Sequence, residues 1–158
     1  MRTLTTIILW ACVVAIAPGS SWTANGASAC KKLLTPDFLK AILVHVDGES
    51  QAKPDGESCP FGAEYSDGYN GITTGLSDRV TLADWNRLVA DNVPGAIPVP
   101  GVGDKAVRSK DASALKAYKN GGRMCSVSLM SLGETPKLGG DALAKKFGTL
   151  CNQLFALP

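Results

Sequence analysis

Residues able to do chemistry are few and poorly grouped in this chain of 158. His45 is the sole histidine, so serine or cysteine catalysis would have to use it as the base. The Gly-x-Ser-x-Gly elbow of one large class of serine hydrolases does not occur. A zinc site wants closely spaced cysteines and histidines, whereas Cys30, Cys59, Cys125 and Cys151 stand far apart. At the end of a helix, His45 instead suits the negative end of the helix dipole. Gly101-Val-Gly103-Asp-Lys-Ala106 spells the dinucleotide fingerprint, which needs a strand before it, a helix after it and an acid about twenty residues on. Here prolines precede it, strand-like sequence follows, and Arg123-Met-Cys125 occupies the place of the acid. The motif therefore reads as a tight turn entering a strand. Asp47, Glu49 and Asp55 offer carboxylates for calcium, but an EF-hand loop opened at Asp47 would need glycine and glutamate where Ala52 and Ser58 stand. No catalytic, cofactor or metal residue is assigned. Carboxylate-pair hydrolysis needs no histidine and is kept as the alternative, with the acids of residues 47–67 as its source.

Charge is more informative in its distribution than in its sum. Residues 47–67 carry Asp47, Glu49, Asp55, Glu57, Glu64 and Asp67 against Lys53 alone. Residues 105–123 carry the bases Lys105, Arg108, Lys110, Lys116, Lys119 and Arg123 against Asp111. Lys105, Arg108, Lys116, Tyr118, Lys119 and Arg123 form a candidate binding face for an anionic envelope component or an acidic protein. Nucleic acid would call for a larger basic excess interleaved with several aromatics.

Positioning these residues begins after a leader. Arg2 followed by the apolar run 4–17, the breaker Pro18-Gly19 and the small residues Ala27-Ser28-Ala29 is the three-part pattern of a secretory signal. The run is shorter than the ~20 apolar residues of a membrane span. Cleavage after Ala29 is the first choice, with Ala24 and Ala27 as alternatives, so residues 1–29 are read as leader and 30–158 as one domain. Removing Cys12 with the leader leaves four cysteines, an even set suited to an oxidising compartment. Lipidation of Cys30 would orphan a thiol, and Ala27 stands where a lipobox has an aliphatic residue. Membrane attachment is expected only through such a lipid.

A first helix is expected from Thr35, as N-cap, to residues 44–46, with Pro36 in its first turn and Phe38, Leu39, Ile42 and Leu43 on one stripe. A second opens at the capping box Thr81/Asp84 and buries Leu82, Trp85, Leu88 and Val89. Strands are expected near 61–65, 71–75, 105–109, 115–119 and 124–130. The first pair turns through Asp67-Gly68 and Asn70-Gly71, the last through Asn120-Gly121-Gly122. In the last helix Leu143, Phe147, Leu150, Cys151 and Leu154 recur at helical spacing, so Cys151 points inward to where Cys125 can meet it. Cys30–Cys59 and Cys125–Cys151 are the favoured bridges among three connectivities. The expected fold is α+β: an antiparallel sheet of about five strands with three helices packed on it and two disulfides.

Cys30-x-x-Leu-Leu-Thr35, Cys59 entering a strand, Val99-Pro-Gly-Val-Gly-Asp104-Lys-Ala106 and the late Leu143-Ala-Lys-Lys146 together resemble small exported bacterial proteins of unknown function, many of them lipoproteins. The resemblance implies a bacterial envelope location and brings no catalytic residues. The expected function is a non-catalytic periplasmic or secreted binding protein, such as an inhibitor, immunity-type protein or envelope adaptor, using loops at one edge of the sheet. A ligand-carrying domain with an apolar cavity beneath the first helix is a further alternative.

Overall fold

The computed structural model describes residues 29–51 and 58–157. Residues 1–28, most of the expected leader 1–29 and with it Cys12, lie outside the described residues, as do Lys53, Asp55 and Glu57 of the acidic stretch.

Among the described residues four helices and seven strands follow in the order α1 (29–33), α2 (Pro36–Ile42), β1 (Glu49–Ser50), β2 (Ser58–Tyr65), β3 (Gly68–Ser77), α3 (Leu82–Asn92), β4 (Ile97–Pro98), β5 (Lys105–Arg108), β6 (Ala114–Lys119), β7 (Arg123–Leu132) and α4 (Gly140–Phe155). All strands pair antiparallel in one sheet of order β1-β2-β3-β7-β6-β5-β4. The expectation of about five strands and three helices is thus short by β1, β4 and α1. Each is too brief to show a period, and the two added strands are the sheet's edges.

Local chemistry sets most boundaries. Thr35 Oγ1 accepts from Phe38 N at 3.2 Å, and Pro36 follows it. The helix ends at Ile42, earlier than its apolar stripe suggested, because Leu43 is extended while its N–H still reaches Leu39 O. At α3 the capping box is closed in both directions, Asp84 N to Thr81 Oγ1 at 3.1 Å and Thr81 N to Asp84 Oδ2 at 3.2 Å. Leu82, expected inside, is exposed because it sits in the first turn away from the sheet. Asn70-Gly71 proves to be strand rather than turn. Tyr65 pairs Gly68 across a tight Ser66-Asp67 connection, and Asn70 is buried with its amide held by Ser131 Oγ.

Alternation along the strands assigns two faces. Phe61, Ile72, Leu76, Leu115, Ala117, Cys125 and Val127 face one side, where α1, α2 and α4 close the main core. Leu143, Phe147, Leu150, Cys151 and Leu154 supply the α4 contribution, as their spacing requires. Cys30–Cys59 ties α1 to β2 and Cys125–Cys151 ties β7 to α4, with Cα separations of 5.4 and 5.6 Å. Each loop of about thirty residues is worth about 3.5 kcal/mol in the chain-entropy model.

α4 is fitted closely to the turn that precedes β5. A Cβ on Gly148 would lie 2.5 Å from Val102 Cγ2, so only glycine admits Val102 here. Asn152 clamps the same turn, accepting from Gly103 N at 3.1 Å and donating to Gly101 O at 3.0 Å. The Gly101-x-Gly103 motif is therefore a turn that opens a strand, as its prolines and following residues implied, and the structure adds that it carries Val102 against α4.

Candidate binding surface

The second face of the sheet is only half covered. α3 lays Trp85 over Tyr118 and Met124, with Leu88, Val89 and Val107 around them, and the Trp85 and Tyr118 rings lie 5.9 Å apart. This lid spans the ends of β5, β6 and β7 nearest α3 and leaves the rest of the face open.

Strand register gives the open part row by row. Glu64, Tyr69 and Leu132 form one row, and Glu49, Gly62, Gly71 and Met130 the next. Pro60, Thr73, Ser128 and Ala114 follow, then Gly75, Ser126 and Lys116. The Tyr69 ring lies flat on the two glycines: a Cβ would fall 2.8 Å from its hydroxyl at Gly62 and 2.6 Å from its ring at Gly71. Met130 and Leu132 are 57% and 56% exposed, whereas a strand side chain that packs on a core is almost wholly buried. The result is a shallow floor of glycine, serine, threonine and alanine, rimmed by α3 on one side and by Tyr69, Met130 and Leu132 on the other.

Lys116 stands at the edge of this floor beside the lid. Burial pushes its ammonium below the ordinary lysine value. Among the described residues it has no ion-pair partner. Glu49 and Glu64 are exposed at the opposite margin, so the open face is acidic towards β1 and β2 and basic towards β6 and β5.

The six residues chosen from sequence divide between the two faces. Lys105, Lys116 and Tyr118 share the lid side, with Tyr118 buried beneath Trp85. Arg108, Lys119 and Arg123 point the other way and fasten α4. Arg108, only 12% exposed in its side chain, donates to Asp141 Oδ1 at 2.8 Å. Lys119 Nζ lies 6.0 Å from the centre of the Phe155 ring. Arg123 Nη1 donates to Phe155 O and Leu157 O at 3.1 and 2.8 Å, and its Nε pairs with Asp78 at 3.3 Å without hydrogen-bond geometry.

His45 also has a local task. Its Nδ1 lies 3.0 Å from Glu134 Oε2, and its ring stacks on Tyr65 at 4.3 Å. Tyr65 in turn donates to Leu132 O, and its phenol is raised by burial first and by Glu134 and Asp67 next. The hydroxyl in this network, Ser131, lies within hydrogen-bond reach of Asn70 Oδ1 and Glu134 O. The cluster clasps the segment after α2 to the segment before α4. Among the described residues the side-chain partner of His45 is Glu134, and no nucleophile hydrogen-bonds to its ring.

Among the described residues no group of three or more His, Cys, Asp or Glu side chains is arranged to hold a metal ion. Beneath α1 and α2 lies an open groove of about 620 Å³. Of its apolar members, Leu34, Leu39 and Phe61 are only 3%, 4% and 2% exposed and belong to the core, while Val46 is half-buried and Pro36 exposed at the rim. A cleft of about 700 Å³ runs between the proline-rich segment 97–102 and α4, with Arg108 and Asp141 at one end. No helix among the described residues is long and apolar enough to cross a membrane. Set against protein-family models, curated proteins and solved structures, the chain finds no match.

Proposed function

We propose that the protein is a non-catalytic binding module of the bacterial envelope, periplasmic or secreted, which contacts another macromolecule through the open half of its sheet. Two disulfides suit an oxidising, exported environment. The observation that carries the proposal is the pair Met130 and Leu132, more than half exposed on a rigid strand beside a small-residue floor. Apolar side chains grouped on one exposed face, rather than scattered singly, mark interaction sites in soluble proteins, and Met130 and Leu132 are neighbours on one face of β7. This moves the expected contact from loops at the sheet edge to the sheet face itself.

A carrier role has less support, since the apolar residues beneath α2 are already packed. A carboxylate hydrolase would need one acid shielded from water to hold its proton. Glu49 and Glu64, the acids on the open face among the described residues, are exposed. The test is a photo-cross-linking residue placed at Ser128 in the exporting cell, with the same residue at Gln153 on α4 as control. One defined protein adduct from Ser128 and no protein adduct from Gln153 supports the open face. Adducts from Gln153 alone would place the contact on the opposite side and refute it.

A further inference from the structure

The fold gathers lysines that the sequence scatters. Lys32 of α1 and Lys145 and Lys146 of α4 line one groove, with Phe38 and Leu138 among them. Lys31 borders the neighbouring groove, and Lys137 Nζ donates to Lys40 O at 2.9 Å, which puts that pair on the same helical layer. All six ammonium-bearing residues are exposed, and none is ion-paired among the described residues. The acid lining the groove is Asp37. Two half-buried apolar side chains, Phe38 and Leu138, interrupt the positive field.

From this we infer that the helical face of the protein seats on an anionic phospholipid surface. Lysines on flexible stems around a few apolar side chains suit a headgroup layer, where the charges meet phosphates and the apolar groups reach below them. The half-buried Phe38 and Leu138 among the lysines favour a lipid surface, whose acyl region can take both, over a highly hydrated polyanion. The sulfur of Cys30 is bonded to Cys59, so the sequence-based route to a membrane, a lipid on that cysteine, is closed while the bridge stands. Seated in this way, the protein turns the open half of its sheet away from the membrane, and both surfaces can be occupied together.

The test is co-sedimentation of the exported protein, as purified from the cell, with phosphatidylcholine vesicles alone or containing 30 mol% phosphatidylglycerol. Binding is expected only with the anionic lipid, and it should vanish at about 1 M salt, where the screening length is about 3 Å. Each lysine near such a surface is worth roughly fivefold in affinity, so Lys32→Gln/Lys145→Gln/Lys146→Gln should weaken binding on the order of a hundredfold. Lys105→Gln/Lys116→Gln on the opposite face should leave it unchanged. Equal binding to neutral vesicles would overturn the inference, as would an undiminished triple variant. So would displacement by a soluble anionic polysaccharide at matched charge, which would assign the face to that polymer.

Discussion

Replacing Gly148 by alanine sets two physical effects of opposite sign against each other. In the interior of an exposed helix, alanine is favoured over glycine by about 1 kcal/mol. At Gly148 the new methyl would fall 2.5 Å from Val102 Cγ2, about 1 Å inside ordinary contact. Val102 cannot turn away cheaply. It is β-branched and stiff at χ1, it is buried, and it is held between Gly101 and Gly103, whose φ values are 76° and 53°. Retreat of the turn would also loosen the two Asn152 hydrogen bonds, each worth about 1 kcal/mol. Overpacking of this kind costs about 1–3 kcal/mol, and the stiffness of Val102 places it in the upper part of that range. Net destabilisation of about 1–2 kcal/mol is expected for Gly148→Ala in urea unfolding at neutral pH. Val102→Ala alone should also destabilise. The double variant should be more stable than the sum by at least about 1 kcal/mol, since it removes the collision. A stabilised Gly148→Ala, or additivity within about 0.5 kcal/mol, would show that α4 and the turn are not fitted as described.

Other consequences can be checked with the same unfolding assay. Thr74 is buried and its Oγ1 finds no hydrogen-bond partner among the described residues, so Thr74→Val should stabilise by about 1 kcal/mol. Loss of stability in that variant would reveal a partner for the hydroxyl. Lys116 is held below its ordinary value by burial, so the folded chain loses its proton before the unfolded one does. Stability should therefore rise as pH climbs from the lowered folded value towards the ordinary lysine value, and Lys116→Met should flatten that alkaline rise. An identical rise in the variant would assign it to other groups. Cys125→Ala/Cys151→Ala should cost about 3 kcal/mol and leave the sheet intact by circular dichroism. A change below about 1 kcal/mol would mean that the bridge constrains little in the unfolded chain.

Much of the main core was legible because its signals are local. Thr35 before Pro36 and Thr81 three residues before Asp84 mark helix starts by chemistry that acts within one turn. Cys125 and Cys151 could be paired because strand alternation and helical spacing each turn a cysteine inward. Edge strands β1 and β4 have two residues apiece, too few to alternate, and pair only because longer strands lie beside them. Asn70-Gly71 spells a turn in isolation, yet Gly71 is bare so that the Tyr69 ring can lie on it. The candidate basic face divided because Lys116 and Tyr118 share a parity that Lys119 does not. That division follows from the period of two and could have been read beforehand. The lysine groove could not, since Lys32 and Lys145 meet only through the packing of α1 and α2 beside α4.

The open half of the sheet is tested most directly by separating stability from association in one variant. Met130→Asp/Leu132→Asp places charges where both side chains already meet water, so unfolding free energy should change by no more than about 0.5 kcal/mol per site. The adduct formed from a cross-linking residue at Ser128 should nevertheless disappear in the exporting cell. A stable variant that keeps the adduct at full yield would contradict a binding role for this face.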